Sequence, residues 1–172
     1  MKTTIKIKGL NRVLSVPEII KKGDWIDLRA AQDIELRGPY VVPARKDVDR
    51  KVVFNDVKVP LGVAMELPKG FEAPVIVRSG TYKNYKVILA NGEGLIDNSY
   101  NGDNDQWFAH IVPFEDGFIA EGDRICQFRI QLSQKATMWQ KIKWLLSSGV
   151  KLEYVESLGN PDRGGHSSTG VK

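Results

Sequence analysis

The strongest constraint on the fold is a succession of short, strand-like runs separated by turn residues. Phe128, Ile130 and Leu132 alternate with polar neighbours, as the two faces of a half-buried strand require. Many short strands at regular spacing are typical of a sandwich, a barrel or a jelly roll. The runs cover residues 4–8, 25–30, 34–36, 40–42, 51–54, 62–67, 73–78, 85–90, 106–113, 118–120, 124–132 and 150–155. The sequence therefore predicts an all-β fold, and its 172 residues are enough for one such domain.

One segment near the C-terminus, residues 133–149, interrupts the strand pattern. Thr137 and Gln140 have the spacing of a capping box, and Gly149 is placed to end a helix. Apolar residues follow at helical spacing, at Met138, Ile142 and Leu145. We therefore expect a short helix that packs on the β-domain.

A partner-binding face is the alternative for the same segment. Trp139 and Trp144 are five positions apart, so the two indole rings cannot both face one core squarely. One of them would then be available to a second protein.

Composition narrows the class of protein. The net charge is +4 and no arginine-rich run or zinc-finger spacing occurs, so nucleic-acid binding is not expected. Cys126 is the single cysteine, which excludes an intrachain disulfide and favours a reducing compartment. No apolar run is long enough to span a bilayer. We expect a soluble protein of the cytoplasm.

The richest cluster of functional residue types is the glycine-rich stretch 91–102. A strand-like run leads into it, and the glycines allow tight turns and close backbone approach. Main-chain groups in such a loop can read the edge of a base, the ring of Tyr100 can support a sugar, and Asp97 can polarise a water. The alternative is an ordinary hairpin whose turn contains an aspartate.

Further polar clusters have two interpretations each. Asp27 lies in an apolar strand, so it is either a satisfied structural group or part of a metal–water shell. Arg78, Ser79 and Gly80 form either a phosphate-binding group of donors or a plain turn. We expect Asp103 and Asp105 to be solvated loop carboxylates.

The C-terminal residues 159–172 have no apolar periodicity and predict a flexible arm. Glycines, hydroxyl groups and Arg163 suit a strap around a phosphate, and a disordered polar tail is the alternative. Metal-ligand clusters of His and Cys are absent from the sequence, so any metal should be a hard cation, which points to Mg²⁺.

Taken in order, five segments resemble the signature segments of the trimeric dUTP pyrophosphatase (dUTPase) family, and the third is the most specific. They are residues 25–28 (Trp-Ile-Asp-Leu), 78–80 (Arg-Ser-Gly), 94–102 (Gly-Leu-Ile-Asp-Asn-Ser-Tyr-Asn-Gly), 122–127 (Gly-Asp-Arg-Ile-Cys-Gln) and 163–170 (Arg-Gly-Gly-His-Ser-Ser-Thr-Gly). The resemblance implies a jelly-roll-like β-barrel over residues 1–158, a helical insertion at about 133–149 and an arm at 159–172.

The resemblance also implies a reaction and a set of roles. The enzyme would use Mg²⁺ to split dUTP into dUMP and pyrophosphate, as a homotrimer whose sites lie at subunit interfaces, with the tail of one chain closing over a site built from two others. Asp97 would activate the attacking water, Tyr100 would lie against deoxyribose, and Asp27 would contact Mg²⁺ through water. The remaining implied contacts are Asn91, Gly94 and Ile96 for uracil, Arg78, Ser79, Gly80 and Gln127 for phosphate, Arg163 for the terminal phosphate, His166 for stacking on the base, and the hydroxyls of Ser168 and Thr169.

Two other functions stay open at this stage. The related dCTP deaminases share the fold, although the sequence shows no deaminase signature, and a bifunctional enzyme is a variant of the same idea. A regulatory binding protein built on the dUTPase fold is the other, as several viral relatives are, with residues 133–149 as the contact. A phage member would work in the cytoplasm of its host.

Overall fold

The computed structural model describes residues 2–10, 17–19, 23–46 and 48–164. Strands dominate these ranges: β1 Thr3–Gly9, β2 Ile26–Arg29, β3 Ile34–Leu36, β4 Tyr40–Val42, β5 Lys51–Val53, β6 Val57–Pro60, β7 Val63–Glu66, β8 Phe71–Val77, β9 Val87–Leu89, β10 Gly94–Asp97, β11 Phe108–Pro113, β12 Gly117–Ile119, β13 Arg124–Phe128, β14 Gln131–Leu132 and β15 Val150–Tyr154. The same ranges contain two short helices, α1 Thr81–Tyr85 and α2 Met138–Leu145. The predicted all-β, jelly-roll-like class is confirmed.

Most strands pair with partners that are not their neighbours in sequence, as crossovers between the layers of a jelly roll require. One sheet has the order β15-β1-β7, another β10-β8-β13-β2 with β14 also on β8, and a third β6-β11-β9. The pairs β3·β12 and β4·β5 complete the set. The pair β1·β15 is parallel and the other pairs are antiparallel. The five-stranded sheet matters most for function, because four of the five signature segments contribute to its strands or to the turns at their ends.

The core fills the space between these sheets with the inward-facing half of each alternating strand. Trp107 and Phe128 are fully buried and meet edge to face, with ring centroids 5.2 Å apart. Cys126 is also fully buried, and that burial raises the pKa of its thiol to about 12. The thiol is therefore an inert core group, as its place in a predicted strand indicated.

Helix α2 begins where the sequence predicts but does not pack as predicted. The Thr137 amide donates to the Gln140 side chain at 2.7 Å, and the Gln140 amide donates to the Thr137 hydroxyl at 3.4 Å, which completes the capping box. Met138 and Leu145, however, are 70% and 83% exposed. The expectation that this apolar stripe packs on the β-domain is wrong.

The ring of Trp144 holds the helix instead. It meets Phe71 edge to face at 5.0 Å and packs against the core. Because residue 144 is about 200° around a helix from residue 142, docking through Trp144 turns the predicted stripe outward.

No helix in the described ranges has the length and hydrophobicity that a membrane span requires.

Candidate active site

Asp97 lies at the end of β10, where the strand turns into the loop that follows. Pairing with β8 in the register Asp97↔Glu72 fixes the strand. The Asp97 carboxylate accepts hydrogen bonds from the Ser99 amide at 2.8 Å and from the Ser99 hydroxyl at 2.5 Å, a local turn typical of aspartate. The carboxylate is about half exposed. Its position is therefore set by its own turn while one side stays open to a ligand.

Arg163 of the C-terminal arm completes the surroundings of Asp97. One guanidinium nitrogen donates to both carboxylate oxygens, at 3.1 and 2.9 Å. Partial burial alone would raise the pKa of Asp97, but the two hydrogen bonds from Ser99 and the charge of Arg163 lower it below the usual aspartate value. Asp97 is therefore ionised near neutral pH, the state that a general base needs.

Tyr100 forms a wall beside this turn. Its hydroxyl donates to the main-chain oxygen of Gln106 at 2.8 Å, and its ring packs against the core. Partial burial, followed by the charges of Asp105 and Asp162, raises the pKa of Tyr100. The phenol is therefore neutral and held in place. Whether its ring and Asp97 share one nucleotide pocket stays a prediction.

The strand β10 leaves main-chain groups open along one edge of the sheet. The segment was expected to be a loop, but Gly94 and Ile96 belong to this strand, which lies at one end of the five-stranded sheet. An edge strand leaves one row of amide and carbonyl groups without a strand partner in the described structure. Asn91 lies in the exposed turn just before it. The predicted contacts with a base are therefore grouped along one edge.

A second cluster forms where β2, β13 and β8 meet. Gln127 is the register partner of Asp27 on one side and of Ile76 on the other. Arg78, directly after β8, donates to Asp27 at 2.7 Å, and Arg124 donates to the second oxygen at 3.1 Å. The structure thus brings together three predicted site residues, Asp27, Arg78 and Gln127.

The turn after Arg78 adds the remaining phosphate candidates. Ser79 is exposed, and Gly80 is the N-cap of α1. Asp27 is only 14% exposed, and both of its oxygens accept from arginines, so it acts here as a satisfied structural group. Among the described residues no three His, Cys, Asp or Glu side chains are grouped as metal ligands. The contact of Asp27 with Mg²⁺ through water stays a prediction.

The two clusters lie at opposite ends of β8. Asp97 is level with Glu72 near the start of this seven-residue strand, and Arg78 follows its last residue. At the rise of an extended strand the clusters are about 20 Å apart in one chain. A cavity of about 610 Å³ lies elsewhere, between α2 and the strand ends, and none of the predicted site residues lines it.

One functional neighbour was missed, and one group of predictions cannot be placed. Asp105 is 1% exposed, so the expectation of a solvated loop carboxylate is wrong for this residue. It accepts hydrogen bonds from the amides of Gly102, Arg163 and Gly164. No sequence signal announced this, because the donors on the arm are 58 and 59 residues away. The predicted contacts His166, Ser168 and Thr169 lie outside the described residues.

Comparison with known proteins decides the family. No family model matches the chain. The chain is 46% identical over 168 residues to the SPbeta prophage-derived deoxyuridine 5'-triphosphate nucleotidohydrolase YosS of Bacillus subtilis, with 98% of this chain and 99% of the relative covered. The chain belongs to the dUTPase family. A second relative, the deoxyuridine 5'-triphosphate nucleotidohydrolase of Syntrophotalea carbinolica, is 32% identical over 174 residues and covers 99% of both chains.

Solved structures of dUTPases support the fold. The dUTPase of Streptococcus mutans superposes with a TM-score of 0.61 at 18% identity, over 76% of this chain and 98% of that one. A mutant of the dUTPase from phage phi11 of S. aureus, described with a structural Mg(II) ion, has a TM-score of 0.60 at 16% identity, over 78% and 94% of the two chains. At these identities the likeness concerns the architecture alone.

Proposed function

We propose that this member of the dUTPase family hydrolyses dUTP to dUMP and pyrophosphate. The observation that carries the proposal is Asp97, an ionised, half-exposed carboxylate at the end of an edge strand, in a chain 46% identical to a deoxyuridine 5'-triphosphate nucleotidohydrolase. A carboxylate held in this way can take a proton from a water as that water attacks phosphorus.

The family resemblance assigns roles to the chain, and the geometry around Asp97 supports them. The free edge of β10 would read uracil, and the ring of Tyr100 would lie against deoxyribose and leave no room for a 2'-hydroxyl. Arg163 would exchange the carboxylate of Asp97 for the terminal phosphate when substrate binds. The water then attacks the α-phosphorus, its proton passes to Asp97, and pyrophosphate leaves.

The second cluster would hold the triphosphate. Arg78, Ser79, Gly80 and Gln127 offer donors to phosphate oxygens. Mg²⁺, when bound with the substrate, would supply charge neutralisation for the phosphates. Asp27 would reach the water shell of this ion, since its carboxylate lies beside Arg78.

We infer that the active enzyme is a homotrimer with sites at subunit interfaces. Within one chain, the cluster around Asp97 and the cluster around Asp27 lie at opposite ends of β8, about 20 Å apart. Packing copies around a symmetry axis can bring the first cluster of one copy to the second cluster of the next. The homotrimer would work in the cytoplasm, that of the host if the chain is encoded by a phage.

Nucleotide profiling tests the activity and the nearest rival. Purified protein with Mg²⁺ is incubated with dUTP, dCTP, dTTP and UTP, and pyrophosphate and ammonia are both measured. We expect pyrophosphate from dUTP and none from the others. Ammonia from dCTP would instead identify a deaminase or a bifunctional enzyme, and no turnover of dUTP would refute the proposal.

A second function is favoured by the outward face of α2. Trp139 and Leu146 are each 75% exposed, and Leu145 is 83% exposed, so the helix presents an apolar surface. We propose that residues 133–149 contact a regulatory protein. Deleting 133–149 should then abolish capture of that partner and spare hydrolysis of dUTP; capture that survives the deletion would refute the idea.

A further inference from the structure

The turn that follows β8 is fastened to β13 by one buried threonine. We call residues 78–81 the β8 turn; it contains three of the predicted phosphate contacts. Thr81 ends the turn and is 2% exposed. The Thr81 amide donates to the carbonyl oxygen of Arg78 at 3.0 Å and closes the turn. The Thr81 hydroxyl donates to the carbonyl oxygen of Ile125 at 2.7 Å. One side chain thus joins the second signature segment to the fourth.

The Ile125 carbonyl lies where the strand ladders around β13 become irregular. On the β2 side, the register passes from Arg124 directly to Cys126 and skips Ile125, as at a β-bulge. On the β8 side, the Ile125 oxygen accepts from the Arg78 amide at 3.3 Å, a long hydrogen bond. The bond from the Thr81 hydroxyl is the shorter of the two. The hydroxyl is therefore the better of the two ties between the β8 turn and this part of β13.

The far end of α1 is held to the fourth segment by a separate contact. The Tyr85 hydroxyl is hydrogen-bonded to the Asp123 carboxylate, which also accepts from the Ala120 amide at 3.0 Å. At the near end, Gly80 is the N-cap and makes no side-chain hydrogen bond. Loss of the Thr81 hydroxyl would therefore leave the helix attached at Tyr85 but loosen the end that adjoins the phosphate contacts.

The tie matters because the β8 turn and β13 are both assigned to one ligand. Gln127 lies two residues beyond Ile125 on β13, and Arg78 begins the β8 turn. Donors on two segments can bind one triphosphate together only if their separation is fixed, since hydrogen bonds weaken steeply as distance and angle depart from the optimum. The Thr81 hydroxyl acts at the contact between these two segments.

We propose that Thr81 is a positioning residue for the triphosphate: its hydroxyl fixes the β8 turn against β13, so that the second and fourth signature segments bind the phosphates together. Thr81 does not itself reach the ligand, because its side chain is buried and its hydroxyl is directed to Ile125. The inference deepens the proposed function and rests on it for the identity of the substrate.

Two substitutions separate the hydroxyl from the volume of the side chain. Thr81→Val keeps the shape and removes the hydroxyl, whereas Thr81→Ser keeps the hydroxyl and removes a methyl group. Binding of three ligands is measured in the presence of Mg²⁺: a non-hydrolysable imido analogue of dUTP, inorganic tripolyphosphate and deoxyuridine. The first two carry three phosphates, and deoxyuridine carries none.

We expect the loss to follow the phosphates. Thr81→Val should weaken binding of the analogue and of tripolyphosphate by about fivefold or more, the equivalent of one hydrogen bond, and should leave deoxyuridine binding within about twofold of wild type. Thr81→Ser should restore both triphosphate ligands to within about twofold of wild type, because the hydroxyl is back in place. Equal weakening of all three ligands, or no recovery in Thr81→Ser, would overturn the positioning role.

The matched control for lost stability is Ile5→Val, at a fully buried position of β1 outside the predicted site. It should lower the unfolding temperature and leave the affinity for tripolyphosphate unchanged. A loss of affinity in Ile5→Val as large as that in Thr81→Val would also overturn the proposal, because general destabilisation would then account for both.

The binding and turnover assays can fail separately. If the wild-type chain binds the triphosphate ligands but releases no pyrophosphate from dUTP, the proposed hydrolysis fails and the Thr81 comparison still decides the positioning role. If the wild-type chain hydrolyses dUTP and Thr81→Val binds every ligand as the wild type does, the proposed function stands and the positioning role fails. A wild-type chain that binds neither triphosphate ligand would overturn both.

Discussion

At the scale of single residues, the proposed base Asp97 is held by one near and one distant neighbour. Ser99 is two positions away, whereas Arg163 is 66 positions away. Asp97→Asn keeps the shape of the side chain but removes its basicity. We expect kcat for dUTP to fall by about 10²–10⁴-fold with little change in KM, the range typical of a lost general base. Full activity in a pyrophosphate-release assay would remove Asp97 from this role.

The pH dependence of the reaction follows from the pKa of Asp97. The ionised form is the proposed base, so we expect activity to be lost as pH falls through that pKa, which Ser99 and Arg163 hold below its usual value despite partial burial. Ser99→Ala removes one hydrogen bond and raises the pKa. The acidic limb of kcat/KM should therefore move to higher pH. A limb that stays in place, or moves to lower pH, would contradict this account.

The pair of arginines on Asp27 leads to a prediction about stability. Asp27→Asn leaves Arg78 and Arg124 without their carboxylate. We expect the free energy of unfolding to fall by about 1.5–3 kcal/mol, because this is the usual contribution of a hydrogen bond to a charged group. Asp24→Asn is the control. That carboxylate is 80% exposed, and its contact with Arg129, at 3.4 Å, is longer than the contacts of Asp27 with its two arginines.

Magnesium titration separates structural and metal roles for Asp27. If its main role is structural, the Mg²⁺ concentration for half-maximal activity should match the wild type in Asp27→Asn. A requirement for more Mg²⁺ would instead establish the contact through water that the family resemblance implies.

The sequence locates the candidate site residues but not the partners that hold them. Asp97 and Tyr100 stand in a short motif whose chemistry is local, so their neighbourhood is visible in the sequence. The burial of Asp105 was not predictable, because it depends on an arm that the chain reaches only 58 residues later. The link between Arg78 and Asp27 was hidden for the same reason, since it joins positions 51 apart.

At the scale of elements, the alternation of apolar and polar residues located most strands, but it missed β6 and the strand character of β10. β3 and β4 have the predicted bounds, because their hydrophobic pattern and turns agree. β6 was missed, and β10 was taken for a loop because its glycine and its short length hide a strand whose pairing with β8 is tertiary. The outward face of α2 was mispredicted since helical spacing says which residues share a face, not which face docks.

The docking of α2 depends on one of its two tryptophans. Trp144 meets Phe71 in the core, whereas Trp139 is 75% exposed. Trp144→Ala should detach the helix and speed amide hydrogen exchange across residues 138–146, and Trp139→Ala should leave exchange unchanged. Both variants should hydrolyse dUTP at the wild-type rate, because neither tryptophan is among the predicted site residues. Equal exchange in the two variants would show that Trp144 is not the anchor.

At the scale of the whole molecule, the separation of the two clusters along β8 makes assembly decisive for the proposed homotrimer. One exposed surface is suited to that assembly. Phe114 lies between Phe54 and Tyr82, with ring centroids 5.9 and 6.3 Å apart, and the three side chains are 38–53% exposed. We take these three neighbouring rings as the candidate interface, because large exposed apolar patches mark interaction sites. Tyr82 belongs to α1, directly after the second signature segment.

This aromatic patch leads to a prediction that joins assembly to activity. Phe114→Glu places a charge among the three rings, and we expect it to shift the protein from trimer to monomer in sedimentation analysis and to remove hydrolysis of dUTP, because the two clusters then stay about 20 Å apart. Leu145→Glu is the matched control, since that side chain is 83% exposed on α2 and should leave both the trimer and the activity intact. A Phe114→Glu monomer that still hydrolyses dUTP would show that a single chain completes the site, whereas an intact, active trimer would place the interface on another surface.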